Sequence, residues 1–338
     1  MSDADLFSSL MRRALDRRAF LRGAAGAGAG GAALIAFGCG ASSSPKATPS
    51  AVASGTPAPG GTGAAGALHP ALLTQEFVAG QDNRFSVGLL DGAGKLVKNA
   101  AVHLRFYTIG ADGKTGTFRG EGDATFVELN VPGAHTHDSS PGSAVADDSV
   151  AFYVAHTPFD VAGKWGVEID VKPDNGGAPE EVQVPFDVLD KSQSPGIGTV
   201  PPASHNDTTA TNHNPASLCS RVPVCPLHDK VIADVLGKGR PLVVQFSTPA
   251  FCATRFCGPV LEVALTQVPQ YQDRVDFVHI EIWQDHQLQQ YRPAVKEWNL
   301  PGEPYTFFMG KDGKVAGRLE AIFSDEELSS ALKQLVAL

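Results

Sequence analysis

The stretch FSTPAFCATRFCGPV, residues 246–260, sets two cysteines, Cys252 and Cys257, with four residues between them and just ahead of an apolar pattern of helical spacing. A thiol at a helix N-terminus feels the positive end of the helix dipole and unpaired backbone N–H groups, both of which favour the thiolate. Arg255, between the two cysteines, adds a positive charge. Thiolate is the attacking form in disulfide exchange, so this pair has the chemistry to pass a disulfide to or from another protein.

Two further cysteines, Cys219 and Cys225, lie in CSRVPVC, where no strand–loop–helix pattern surrounds them. With Cys252 and Cys257 they allow three connectivities, and proximity favours Cys219–Cys225 and Cys252–Cys257. The expectation for Cys219 and Cys225 is a local structural disulfide. A tetra-cysteine zinc site is disfavoured by intervals of five and four residues. His135-Thr136-His137-Asp138 carries two imidazoles and a carboxylate that suit copper or zinc, but so short a match reads first as a solvated loop. His69, His103 and His156 are expected on exposed strand faces or at strand ends. Met309 is the single methionine outside the N-terminal segment, which leaves a Met-rich copper(I) site without ligands. No metal and no cofactor are expected.

The elements around the first cysteine pair are readable. Pro241–Phe246 is a short apolar strand suited to a buried position, and a helix is expected from about Pro259, with Leu261, Leu265 and Val268 on one face. Residues 275–282 read as a second buried strand, and 286–298 as a helix. Residues 303–308 read as a third strand, turned by Lys311–Lys314 into a fourth at 315–319. Ser324 to Glu327 forms a capping box for a last helix.

This order of elements, with Cys257-Gly258-Pro259 after the first strand and Pro304 at the head of the third, resembles the thioredoxin fold, in particular the TlpA-like envelope thiol–disulfide oxidoreductases. The resemblance covers 218–338. It implies Cys252 and Cys257 as nucleophile and resolving thiol, in either order, and Pro304 as a cis proline shaping the docking groove. By the same resemblance Val260 takes the place of the usual second cysteine, and Gln245 the place of a buried acid that assists proton transfer. Glu281 and Glu303 are candidates to replace that acid. The Sco-type copper chaperones, with two cysteines and a distant histidine, are the alternative; His279 or His286 would have to supply the imidazole. A non-catalytic binding module with structural disulfides is the third reading.

Residues 68–190 behave differently. Val102, Leu104 and Phe106 alternate with polar neighbours, as do Trp165, Val167, Ile169 and Val171, and then Val182, Val184, Phe186 and Val188. Period two in short runs broken by DGAG, ADGKTG and PDNGG turns predicts an antiparallel sandwich without helices. The run FDVAGKWGVEIDV, 159–171, resembles the closing hairpin of YtkA-like and CopC-like immunoglobulin-like domains. The fold class expected is thus α+β multidomain: an all-β immunoglobulin-like sandwich followed by an α/β thioredoxin fold. A linker is expected at 191–217, dense in Pro, Ser, Thr and Asn, with His205 and His213 solvated in it.

The N-terminus reads as an address. Arg17-Arg18-Ala19-Phe20-Leu21-Arg22 resembles a twin-arginine export motif, and the Ala/Gly-rich run after it is short of the roughly 20 apolar residues a spanning helix needs. Gly38-Cys39 resembles a lipobox, which implies acylation of Cys39 and an export segment over 1–39. Residues 40–67 are Ser, Pro, Ala, Gly and Thr with almost no large apolar side chain, and are expected to form a flexible stalk. The 338 residues carry a net charge of −9, which gives a nucleic-acid role no electrostatic support. The expected protein is extracytoplasmic and held at a bacterial membrane by a lipid, and its partners are envelope proteins with thiols or disulfides.

Overall fold

The computed structural model describes residues 68–113, 116–130, 149–252 and 256–338. Arg17, Arg18, Cys39, the 40–67 stalk, the His135–Asp138 loop and Arg255 fall outside the described residues. No helix among those described is long and apolar enough to cross a membrane.

Alternation of apolar and polar residues turns 69–189 into eight strands: β1 (His69–Leu72), β2 (Phe77–Val78), β3 (Asp82–Leu90), β4 (Ala101–Ile109), β5 (Gly116–Asn130), β6 (Ser149–Pro158), β7 (Gly163–Lys172) and β8 (Glu180–Leu189). They form one curled sheet, ordered β1-β3-β6-β5-β4-β7-β8-β2. The 15-residue β5 makes the curl: Gly116 to Ala124 pair with β4, and Thr125 to Asn130 pair with β6. The result is a β-sandwich. Its core holds Val102, Leu104 and Phe106 from β4 and Trp165, Val167, Ile169 and Val171 from β7, the inward set that the alternation predicts. Phe77, Phe85, Phe106, Phe159 and Phe186 pack ring to ring at its centre.

Two positions break the pattern. A register shift after Phe106 leaves Tyr107 also buried, its ring 5.7 Å from that of Phe118. Glu168, on the outward phase of β7, is buried too, because Arg105 crosses from β4 to pair with it and Gln183 donates to it at 3.0 Å.

The second sheet has four strands, ordered β10-β9-β13-β14: β9 (Leu242–Ser247), β10 (Asp276–Glu281), β13 (Tyr305–Met309) and β14 (Val315–Glu320). β9 and β10 run parallel, and β13 is antiparallel to both β9 and β14. Both faces are covered. On one, Val243, Phe277 and Phe308 meet the 15-residue helix α3 (Cys257–Tyr271) and the 13-residue helix α5 (Asp325–Ala337). On the other, Val244, Phe246, Val278 and Phe307 meet Ile232 of α2 (Ile232–Val235), Ala294 and Val295 of α4 (Pro293–Glu297), and Trp298. Ser324 caps α5 as the sequence predicts: its hydroxyl accepts from Glu327 N–H at 3.1 Å, and the Glu327 carboxylate accepts from Ser324 N–H at 3.0 Å.

The helix expected over 286–298 is a correction. Residues 283–291 form a two-stranded hairpin instead, β11 (Trp283–Asp285) with β12 (Gln290–Tyr291), closed by Trp283 stacked on Tyr291 at 4.5 Å. Helix begins only at Pro293, because a proline holds the residue before it extended, and Arg292 sits at φ −61°, ψ 152°.

Residues 191–217 are no free tether. Gly198 N–H donates to Val315 O, and Val315 N–H to Thr199 O, both at 2.8 Å. Trp298 Nε1 donates to Ser204 Oγ at 3.1 Å, and Asn206 Oδ1 accepts from Ile232 N–H at 2.9 Å. The segment ends in a single turn, α1 (Pro215–Leu218). His205 and His213 are exposed on it, as expected.

The sandwich and the second sheet share core. Leu129, Phe152 and Val154 pack in the same cluster as Ile322, Phe323 and Leu328. Around them Arg84 grips Glu327 with two nitrogens, at 2.6 and 3.1 Å, and Arg318 bridges Glu76 and Glu320 at 2.7 and 2.8 Å.

Candidate functional site

The α3-side face of the second sheet changes character along its length. Near one end it carries Val243, Phe277 and Phe308; at the other it carries Gln245, Ser247, His279, Glu281 and Thr306, all buried. Parallel β9 and β10 both point their C-terminal ends at this polar third. Two cysteine pairs gather over it.

The first pair stands where β9 leads through residues 248–256 into α3. Cys257 is the first residue of α3 and fully buried, whereas Cys252 is half-buried in the loop. Cys252 Sγ accepts the Cys257 backbone N–H at 3.2 Å, one of the donors that a helix start leaves unpaired. Burial pushes the Cys257 thiol well above its ordinary range, and the neighbouring Cys252 sulfur pushes the same way. The two sulfurs and a carboxylate oxygen of Glu303 lie within 4.8 Å of one another. Glu303 precedes Pro304 through a cis peptide bond at the head of β13. Val260 is fully enclosed in the core one turn further along α3, and so faces packing rather than chemistry.

The second pair, like the first, carries no disulfide in this structure. Cys219 and Cys225 are free, buried, and in contact with two buried histidines, His228 and His279. Cys225 Sγ lies 3.2 Å from His228 Nε2 and 3.3 Å from His279 Nδ1. Cys219 Sγ lies 3.6 Å from His279 Nδ1, and the two ring nitrogens are 3.2 Å apart. On the far side of the ring, His279 Nε2 donates to the Ser247 carbonyl at 3.1 Å, with Ser247 Oγ at 2.9 Å. Contact with the Cys225 sulfur, and then with His228 and His279, pulls the Cys219 thiol down, while contact with the Cys219 sulfur and burial push Cys225 up. Burial lowers His228; for His279 burial is the largest influence and pulls downward, but Cys219, Glu281 and the Ser247 backbone together outweigh it and leave that ring raised.

The two sites touch. Ala250 N–H in the Cys252 loop donates to Ser220 Oγ at 3.0 Å, and Ser220 N–H donates to Glu281 at 2.8 Å. Arg221 grips Glu262 of α3 through two nitrogens, at 2.6 and 3.1 Å.

Of the two acids that could replace Gln245, Glu281 is occupied by the backbone N–H groups of Ser220 and Ile282, and Glu303 is the one beside the thiols. His279 belongs to the second pair. His286 stacks flat on Phe251 at 4.3 Å. His69 and His156 are exposed, and His103 lies at a strand face between Asp123 and Glu121. Among the described residues, a third group of metal-type donors, Glu168, Asp170 and Glu181, already surrounds the Arg105 guanidinium. Sequence reasoning missed His228; its signal was Cys225-Pro-Leu-His228, a cysteine and a histidine separated by two residues.

No family model and no curated protein matches the chain. Among solved structures, a DUF4426 family protein from Pseudomonas aeruginosa PAO1 is similar over 37% of this chain and 91% of its own, at 14% identity and a TM-score of 0.23. So slight a likeness bears on neither fold nor function.

Proposed function

We propose that the protein is an extracytoplasmic, lipid-anchored thiol–disulfide oxidoreductase, with an immunoglobulin-like sandwich at 68–190 and a thioredoxin-type unit at 218–338. The strand order β10-β9-β13-β14, the cysteine pair between β9 and α3, and Pro304 at the head of β13 support the thioredoxin-type reading. Export and anchoring rest on Arg17, Arg18 and Cys39. One observation carries the activity: an accessible sulfur, a buried thiol and a carboxylate converge within 4.8 Å at a helix start.

The arrangement divides the roles. Cys252, reachable and hydrogen-bonded to the helix N-terminus, attacks one sulfur of a substrate disulfide; a mixed disulfide forms and one substrate thiolate leaves. Cys257 then gives its proton to Glu303 and attacks Cys252 Sγ. The Cys252–Cys257 disulfide forms and the second substrate thiolate departs, so two electrons pass from the protein to the substrate. The reverse sequence oxidises a dithiol. Phe251 and Tyr291, both exposed, flank the Cys252 loop together with His286 and Trp283, and offer flat faces to an unfolded or extended chain.

Copper handling at the same thiols is less well supported. The third donor there is the oxygen of Glu303, a hard partner for a soft cation, and no imidazole joins it among the described residues.

The test is the reduction potential of Cys252–Cys257 in the full chain, read by alkylation and mass analysis across a dithiol buffer series. A reversible couple above about −250 mV is expected. A bond that resists reduction to below about −300 mV makes the pair a structural staple and sinks the reading.

A further inference from the structure

We propose that Cys219, Cys225, His228 and His279 form a tetrahedral zinc(II) site, structural in kind and separate from the Cys252–Cys257 pair. With Zn–N bonds of about 2.0–2.1 Å and Zn–S bonds of about 2.3 Å, tetrahedral geometry places ligand atoms about 3.4 Å apart for N–N and about 3.6 Å for N–S. The contacts found are 3.2 Å for the two nitrogens and 3.2, 3.3 and 3.6 Å for sulfur to nitrogen. All four donor atoms lie within 4.8 Å of one another. Four of the six edges thus match a zinc-sized tetrahedron, and the other two, Cys219–Cys225 and Cys219–His228, are no longer than 4.8 Å.

The outer contacts agree. The Ser247 carbonyl can only accept, so it fixes the proton of His279 on Nε2 and aims the Nδ1 lone pair at the cluster. A histidine oriented by a carbonyl behind it is the usual second layer of a metal site. Two thiolates and a divalent cation sum to zero charge, which burial tolerates. Four protein donors, each at most 3% exposed, leave no open position for substrate or water, the mark of a structural rather than a catalytic zinc. Bound metal also keeps the two thiolates from pairing in an oxidising compartment.

The site has a task in this fold. Residues 219–228 contain no strand or α-helix of their own and lie over the polar end of the sheet, where Ser220 holds Ala250 of the Cys252 loop. A cation bound by Cys219, Cys225 and His228 of this segment and by His279 of β10 staples it to the sheet, and so fixes the wall of the neighbouring cysteine loop.

The experiment uses the full chain, purified without chelator and assayed for metal by mass spectrometry, then stripped and reloaded with cobalt(II). The expected result is one zinc per chain, and for cobalt the intense visible bands of a tetrahedral site with thiolate ligands. Cys219→Ser and His228→Ala are expected to lower the stoichiometry from one to near zero, while Cys252→Ser/Cys257→Ser retains the full equivalent. The wild-type cobalt spectrum does not depend on how the variants fold. A metal-free chain with a Cys219–Cys225 disulfide in peptide mapping would overturn the proposal. So would loss of the metal in the Cys252→Ser/Cys257→Ser chain, which would move the site to the other thiols.

Discussion

At the scale of single residues, two cysteines of one chain segment live in opposite surroundings. Cys257 is enclosed by the helix it begins, and burial holds its thiol protonated; Cys252 is half-open and takes a backbone N–H. Iodoacetamide on the reduced chain at neutral pH is therefore expected to label Cys252 at least about tenfold faster than Cys257, because only an accessible thiolate reacts well. Peptide mapping at short times reads the ratio, and equal labelling would contradict the division of roles. The nearness of the two cysteines was legible in the sequence, but their difference in burial was not. Counting from the strand and counting from Cys257-Gly258-Pro259 disagree; in the proposed function the start of α3 at Cys257 and the burial of that thiol favour Cys252 as the attacking sulfur.

Elements decide what surrounds the pair. The 283–291 hairpin stands where a helix was expected, since Pro293 favours the opening of a helix over its middle, and its Trp283–Tyr291 stack and the Phe251–His286 stack border the Cys252 loop. In the proposed function these faces bind the polypeptide around the target disulfide. Phe251→Ala with Tyr291→Ala is expected to reduce kcat/KM on a disulfide-bonded protein by about 10- to 100-fold, from about 1–3 kcal/mol of lost aromatic contact. Turnover of a small disulfide with nothing to dock should change little. A parallel loss on both substrates would place the defect in the thiols rather than in docking. Strands and the final capped helix were readable throughout because period and cap are local; the hairpin was not, because its stacking partners meet only in three dimensions.

Across the whole molecule, the sandwich is fastened to the second sheet by shared core and by a buried charge network. Glu320 sits in it with Arg318 and Glu76, near Tyr305, and accepts the backbone N–H groups of Gln75 and Glu76. Burial raises its pKa above the ordinary 4.5, although Arg318 pulls the other way. A carboxyl raised on folding binds its proton more tightly in the native state, so its contribution is full below pH 4.5 and is lost as pH climbs through the raised value. Relative to wild type, Glu320→Gln should therefore gain stability as pH rises above 4.5, with a slope no steeper than about 1.4 kcal/mol per pH unit, the limit for one proton. Denaturant titrations of both chains across that range read the difference. The opposite sign would mean that the ion pair with Arg318 outweighs burial.

The sequence by itself determined what repeats or caps along the chain: the period-two strands of the sandwich, the apolar strands of the second sheet, the Ser324 cap and the nearness of Cys252 to Cys257. Each depends on residues a few positions apart, where pleat and helix geometry act directly. Tertiary structure alone decided which side chains share a space. His279 is 51 residues from His228 and 60 from Cys219, yet the pairing of β10 with β9 sets it among them. Residues 191–217 look like a linker in composition and are bound to the sheet by backbone hydrogen bonds with partners far along the chain. Long-range contacts of this kind leave no period in the sequence, so the four-donor cluster became visible only once the sheet had brought its strands side by side.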